Sequence, residues 1–70
     1  MERIYVSSSN IGSIGYSPAE AILEIEFLKG GVYQYYDVPQ FEFDNLMEAE
    51  SKGKYANQNI YKVYKYARIG

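Results

Sequence analysis

The sequence of 70 residues contains no cysteine and no histidine. Without cysteine, neither a disulfide nor a thiolate zinc site can stabilise the fold, which suits the reducing cytoplasm, where we expect the protein to lie. Without histidine, the chain lacks the commonest general base, a frequent metal ligand and the usual proton switch near neutral pH. We therefore predict no metal site, no cofactor and no enzymatic activity.

Long apolar runs are also absent. No run approaches the roughly 20 residues needed to span a bilayer, and the first residues do not resemble a signal peptide, so we expect no membrane partner. The hydrophobic content of 47% is nevertheless ample for a core and argues against disorder. A chain this short is expected to form a single domain over residues 1–70, with modest stability.

Acidic side chains are missing from the last twenty residues. Residues 51–70 carry five basic side chains and no acid, whereas residues 1–50 carry nine acids and two basic side chains, giving net charges of +5 and −7. The basic end either faces an acidic partner or folds back on the acidic sheet, where the charges largely cancel. Charge alone favours cancellation, because basic clusters are usually solvated surface.

The central pattern is an alternation of apolar and polar side chains over residues 23–38, which predicts an antiparallel hairpin. Two glycines predict a three-residue turn at residues 29–31, which would pair Phe27 with Tyr33 and Ile25 with Tyr35. Glu24 and Glu26 would then lie on the opposite, solvent-facing side. Such alternating acids are far more often solubilising than a catalytic carboxylate pair.

A second hairpin is predicted upstream, preceded by a short strand at residues 4–8. A strand at residues 11–16 and a turn at 17–20 would pair Tyr16 with Ala21 and Ile14 with Leu23, and the strand's glycines are typical of a bulge. Both hairpins place their large apolar groups on the same side of the sheet. The predicted apolar face comprises Ile14, Tyr16, Leu23, Ile25, Phe27, Tyr33 and Tyr35.

A helix is predicted over residues 39–50, with an apolar stripe that covers the sheet. The stripe consists of Phe43, Leu46 and Met47, and Glu42 lies outside it. The helix should stop near Gly53, which would take the left-handed cap, and Asn57 could cap a further short helix. The sequence thus predicts an α+β fold: an antiparallel meander of three to four strands, one main helix on its apolar face, and a short helix or turn followed by an extended C-terminal segment.

Four groups of residues occur in an order that matches a known family. They are Ser7-Ser8, Ile11 and Ile14-Gly15-Tyr16; Tyr33-Gln34-Tyr35 with Val38-Pro39; Ser51-Lys52-Gly53-Lys54-Tyr55 with Asn57 and Ile60; and Tyr64-Lys65-Tyr66. This combination resembles the KTSC domain, a family named for the C-terminal segment of some lysyl-tRNA synthetases and also found as small single-domain proteins. The resemblance implies a fold and suggests RNA binding, but it implies no catalytic mechanism. One departure is Ala56, where relatives tend to carry a bulky aromatic residue.

Two hypotheses of function follow. The first is a module that binds RNA, either tRNA or single strands, by stacking bases on aromatic side chains and holding phosphates with basic ones. Its candidate residues are Lys52, Lys54, Tyr55, Asn57, Lys62, Tyr64, Lys65, Tyr66 and Arg68. The second is a module that binds a protein partner or another copy of itself without nucleic acid, since nine tyrosines exceed what one helix covers. Under the second hypothesis many of these tyrosines simply pack in the fold.

Overall fold

The computed structural model describes residues 1–70 and has the predicted α+β architecture, with one five-stranded sheet and two helices. The strands are β1 (Arg3–Tyr5), β2 (Ile11–Ser17), β3 (Ile22–Phe27), β4 (Gly31–Tyr35) and β5 (Tyr66–Arg68), and the helices are α1 (Gln40–Glu48) and α2 (Lys52–Asn59). The strands lie side by side in chain order, each antiparallel to the next. Both helices therefore fall between β4 and β5. Neither helix has the length and apolar character that a membrane crossing requires.

One apolar core lies between the sheet and the helices. It consists of Ile11, Ile14, Leu23, Ile25, Tyr35, Val38, Leu46, Ala56 and Ile60. Every side chain of the predicted apolar face belongs to this core or packs against it, as do those of the predicted helical stripe. The predicted apolar face is therefore confirmed. The small Ala56 is fully buried in α2, where a bulkier side chain would have to displace its neighbours.

The register of the central hairpin differs from the prediction by two residues. Ile25 pairs with Tyr33 and Phe27 pairs with Gly31, so the predicted pairing of Phe27 with Tyr33 is wrong. The cause is the turn, because Gly31 carries the positive φ of 87° and already begins β4. A shift of two residues leaves every side chain on its original face, which is why the apolar face was still predicted correctly.

The upstream hairpin is shifted in the same way. Tyr16 pairs with Leu23 and Ile14 pairs with Ile25, whereas the prediction paired Tyr16 with Ala21 and Ile14 with Leu23. Ala21 has a left-handed backbone, with φ of 57°, and lies in the turn rather than in β3. The predicted bulge is confirmed, since the register shifts between Ile11 and Ser13.

Two predictions about the ends of the helices, the cap at Asn57 and the left-handed stop at Gly53, are wrong. Ser51, not Asn57, caps α2 by accepting a hydrogen bond from the backbone N–H of Lys54, at 3.3 Å. Gly53 lies inside α2 rather than in a left-handed cap. An added Cβ there would lie 2.5 Å from the side-chain oxygen of Asn10, so that side chain would have to move. α1 ends at Glu48, two residues before the predicted end, and the backbone N–H of Ala49 donates a hydrogen bond to the carbonyl of Leu46.

The opposite face of the sheet carries a polar network. Glu24 is buried, pairs with Arg3 and accepts a hydrogen bond from Gln34, so its predicted solvent exposure is wrong. Ser13 accepts a hydrogen bond from Arg3 and donates one to Glu26. Burial raises the pKa of Glu24, but the hydrogen bonds from Gln34 and Arg3 outweigh it and hold that pKa below its usual value.

Candidate functional site

Five aromatic side chains close into a ring at one end of the sheet. Their ring centroids lie 5.7–6.1 Å apart around the whole circuit, the usual spacing of packed aromatic pairs. The ring lines a pocket of about 320 Å³ that is open to solvent. We call it the tyrosine pocket, and its aromatic lining consists, in circuit order, of Phe27, Tyr33, Tyr66, Tyr35 and Tyr61.

Strand pairing builds most of this pocket. Tyr35 lies opposite Tyr66 in the register of β4 and β5, so both side chains share one face of the sheet. Tyr33 shares that face because side chains alternate along a strand. Tyr61 approaches from the segment that follows α2. Tyr35, which is only 4% exposed, forms the floor, whereas Tyr66, 57% exposed, forms an outer wall.

The hydroxyl groups divide the tyrosines into two sets. Outside the pocket, four of them donate hydrogen bonds within the chain, namely Tyr16, Tyr36, Tyr55 and Tyr64. None of the four pocket tyrosines does so. The hydroxyl of Tyr61 is buried without a hydrogen-bond partner, although the nearby Asn10 side chain partly offsets the rise that burial causes in its pKa. A buried polar group without a partner is uncommon and calls for an explanation.

Burial raises the pKa of Tyr35, and the neighbouring phenols of Tyr61, Tyr33 and Tyr66 raise it further. The hydroxyl of Tyr35 therefore stays protonated near neutral pH. A protonated phenol can both donate and accept hydrogen bonds. The tyrosine pocket offers aromatic faces together with polar edges that the fold does not use.

The charges near the pocket are positive. Arg68 lies opposite Tyr33 in the register, and its guanidinium is so close to Gly31 that a Cβ there would lie 2.7 Å from Nη2. Only Nε of that guanidinium makes a hydrogen bond, to the backbone oxygen of Gly70 at 2.8 Å. The exposed Lys62 and Lys65 are chain neighbours of pocket tyrosines. No carboxylate lines the pocket.

The structure separates the residues that the sequence singled out. Tyr66 lines the tyrosine pocket, and Arg68 lies on the same strand, opposite the pocket residue Tyr33. Lys54 and Asn57 are exposed on α2, and Lys62 and Lys65 are exposed in the segment between α2 and β5. Lys52 instead donates a hydrogen bond from Nζ to the carbonyl of Ala49, 3.1 Å away, and thereby bridges the two helices.

Tyr55 and Tyr64 are held by a buried acid. Both hydroxyls donate to the carboxylate of Glu42, the second at 2.7 Å, and Glu42 is 8% exposed. Burial and the hydrogen bond to Glu42 raise the pKa of Tyr64 to about 12 and also raise that of Tyr55. The carboxylate thus ties α1 to α2 and to the segment before β5. In the sequence, Glu42 lies outside the predicted apolar stripe of α1, so the pattern gave no sign that it would be buried.

Sequence reasoning did not bring the members of the tyrosine pocket together. Phe27, Tyr33 and Tyr35 were assigned to the apolar face, separately from the tyrosines of the C-terminal segment. The extended segment near Tyr66 was predicted without a partner strand. Pairing it with β4 would have placed Tyr66 beside Tyr35 and revealed the pocket, and the repeated Tyr-x-Tyr pattern was the only available signal.

The comparisons with known proteins agree with this fold. A family model for the KTSC domain matches residues 7–66. The chain belongs to the KTSC domain family. The crystal structure of a KTSC domain protein from Yersinia pestis is 43% identical and superposes with a TM-score of 0.97, over 99% of this chain and 97% of that one.

Sequence relatives of this KTSC domain are of two kinds. An uncharacterised protein of Stutzerimonas stutzeri is 42% identical over 99% of both chains, and a protein of Tsukamurella paurometabola is 50% identical over 74% of this chain and 78% of that one. A lysine–tRNA ligase of Nostoc is 34% identical over 87% of this chain but only 11% of its own length. The domain thus resembles both proteins of similar length and a small part of a much larger one.

Proposed function

We propose that this KTSC domain is a non-catalytic module that binds single-stranded RNA through its basic, tyrosine-rich C-terminal surface. The observation that carries the proposal is that the basic side chains of residues 51–70 pair with no acid. The only ion pair in the structure joins Arg3 to Glu24, near the other edge of the sheet. No close ion pair therefore neutralises these cations, and exposed cations of this kind are the groups that contact phosphates.

Two further observations support an RNA partner. The tyrosine pocket supplies aromatic faces, and Lys62, Lys65 and Arg68 adjoin its tyrosines in the chain or in the strand register. Single-stranded nucleic acids are bound by stacking on aromatic side chains within positively charged grooves. A protein named lysine–tRNA ligase also contains a segment similar to this domain.

Within this proposal, the candidate residues take different roles. The exposed lysines at 54, 62 and 65 hold phosphates together with Arg68, while Tyr66 stacks against a base and Asn57 offers a side-chain amide. Lys52, Tyr55 and Tyr64 already make hydrogen bonds within the chain, so they support the surface rather than contact RNA.

Fluorescence anisotropy with a short single-stranded RNA tests the proposal directly. The parent domain should bind, and its affinity should fall steeply as salt increases. Lys65→Gln should weaken binding to all sequences alike and lower the salt slope by about one without changing the melting temperature. Ser7→Glu is a matched control, because it changes the net charge by the same amount in the exposed loop between β1 and β2.

Two results would refute the proposal. A parent domain that binds no RNA even at low salt would refute RNA binding itself. A Ser7→Glu variant that loses as much affinity as Lys65→Gln would refute the C-terminal surface as the place of binding. The second result would mean that net charge alone governs binding.

A second candidate function, association with a protein or with another copy of this chain, is favoured by the edge of the sheet at β1. Ile4 is 55% exposed and Tyr5 is 85% exposed on this short strand, and edge strands readily pair with another strand. A sizing column coupled to light scattering tests self-association. A dimer that Tyr5→Lys dissociates, in a domain without RNA affinity, would establish the second function in place of the first.

A further inference from the structure

We propose that the tyrosine pocket accepts a single nucleobase turned out of an RNA strand, and that Arg68 holds the phosphate next to that base. This inference rests on the proposed RNA-binding function and assigns the place where a base is bound. It predicts a contact that depends on the base itself, in addition to the general attraction between lysines and phosphates.

The size of the pocket favours one planar ring system. Its volume of about 320 Å³ lies at the lower end of the range for small-molecule pockets, about 300–1,000 Å³. Such a volume is too small for a helix or a strand of a protein partner. The depth is also limited, because Tyr35 closes the floor at 4% exposure.

The chemistry of the walls favours a ring with polar edges over an aliphatic group. Aromatic faces surround the pocket, and four of its five aromatic residues carry hydroxyls that make no hydrogen bond within the chain. A base stacks on the faces and exchanges hydrogen bonds with accessible tyrosine hydroxyls, such as that of the exposed Tyr66. An aliphatic ligand would leave those hydroxyls without partners, which is unfavourable in a buried site.

Charge excludes the other common ligand of an aromatic pocket. Rings of aromatic residues also bind quaternary ammonium groups through cation–π contacts. Here no carboxylate lines the pocket, whereas Arg68 lies opposite the pocket residue Tyr33, and Lys62 and Lys65 are chain neighbours of pocket tyrosines. This arrangement repels a cation and attracts a ring that is attached to an anion.

Arg68 is placed to hold that anion. Its Nε donates to the backbone oxygen of Gly70, but its two terminal nitrogens make no hydrogen bond within the chain. Arginine binds phosphate oxygens in pairs through its planar guanidinium, so these two nitrogens suit one phosphate group. A phosphate at this position would lie beside Gly31, one residue from the pocket-lining Gly30.

A second groove continues the path of the strand. It has a volume of about 290 Å³, and it shares Phe27 and Gly30 with the tyrosine pocket. Its other lining residues include Ser9, Asn10 and Lys29, which are polar or basic. A neighbouring nucleotide can therefore lie in this groove, with its phosphate near Lys29, while the base in the tyrosine pocket remains separated from it by Phe27.

The test compares two probes of equal length, an oligouridine and an abasic ribose–phosphate strand, by fluorescence anisotropy. Tyr66→Leu should lower affinity for oligouridine roughly ten-fold or more and leave affinity for the abasic strand unchanged. Arg68→Gln should weaken the binding of both probes. It should also lower the salt slope, which is the dependence of log affinity on log salt concentration, by about one. Tyr5→Leu, an exposed tyrosine on the other edge strand, is the matched control and should affect neither probe.

Backbone amide NMR with uridine monophosphate keeps the proposal testable if a variant fails to fold. In the parent domain, the amide signals of Gly30, Gly31 and Tyr66 should shift and saturate together, whereas that of Tyr5 should not move. Oligouridine binding that is insensitive to Tyr66→Leu, or shifts that avoid these three amides, would overturn the pocket assignment while RNA binding stands. A parent domain that binds neither oligouridine nor the abasic strand would overturn the proposed function as well.

Discussion

Replacing Glu42 with alanine should destabilise the fold by about 2–4 kcal/mol. The buried carboxylate accepts hydrogen bonds from the hydroxyls of Tyr55 and Tyr64. Each hydrogen bond to a charged group contributes roughly 1.5–3 kcal/mol, but removal of the charge also relieves the cost of burying it. The two phenols are only half-buried, so water satisfies them in part. The expected loss is therefore smaller than the sum of two charged hydrogen bonds.

Thermal unfolding followed by circular dichroism measures this loss. In a domain of this size, 1 kcal/mol corresponds to about 4–8 °C in melting temperature, so Glu42→Ala should melt roughly 10–25 °C below the parent. Glu48→Ala is the matched control, because Glu48 lies exposed on the same helix. Surface substitutions of that kind usually change stability by about 0.5 kcal/mol or less.

A double-mutant cycle separates the hydrogen bond from general packing. Tyr64→Phe should cost about 1–2 kcal/mol in the parent and close to nothing in the Glu42→Ala background. Equal costs in both backgrounds would refute the hydrogen-bond network. A Glu42→Ala variant that melts within a few degrees of the parent would do the same.

The same network predicts a loss of stability at high pH. The pKa of Tyr64 is raised to about 12 in the folded state, above the value of about 10 expected in the unfolded chain. The contribution of the protonated Tyr64 hydroxyl to the free energy of unfolding is therefore fully present below about pH 10 and is lost as the pH rises towards 12. Alkaline unfolding of Tyr64→Phe should lose less stability over this interval than the parent does.

Three further predictions concern the sheet and α2. Gly31→Ala should cost more than about 1 kcal/mol in a thermal melt, since φ is 87° and the new Cβ would lie 2.5 Å from a backbone oxygen just beyond β5. Gly53→Ala should destabilise the parent but become neutral or stabilising in the Asn10→Ala background, where the better helix propensity of alanine prevails. The fold lowers the pKa of Glu24, so this ionised carboxylate stabilises the folded state above about pH 4.3, the value for an unfolded chain. That stabilisation is lost as the pH falls through the pKa of the folded state. Arg3→Gln removes one cause of the lowered pKa and should therefore shift acid unfolding to higher pH.

The sequence alone was enough to assign the layers of this protein. Apolar residues alternate with a period of two in the strands, and this period fixes which side chains face the core even when the register is wrong by two residues. The absence of cysteine and histidine, and the basic C-terminal segment, can likewise be read directly. These properties depend on neighbours in the chain or on composition, and no distant contact is needed to infer them.

Register and helix limits were decided by tertiary structure. The left-handed backbone of Ala21 has no local signal, because alanine rarely adopts it, and this residue sets where β3 begins. Gly53 resembles a helix stop, yet it lies in the first turn of α2, where the side chain of Asn10, distant in the chain, occupies the space that a Cβ would take. Both features follow from contacts between residues that the sequence does not place together.

The candidate site depended on tertiary structure most of all. Nine tyrosines look alike in the sequence, and their surroundings alone distinguish them. Glu42 uses the hydroxyls of Tyr55 and Tyr64 to hold the helices, whereas pairing of β5 with β4 brings Tyr66 to the tyrosine pocket. A side chain's role here is fixed by whether its polar end is already satisfied within the fold, and only the packed chain determines that.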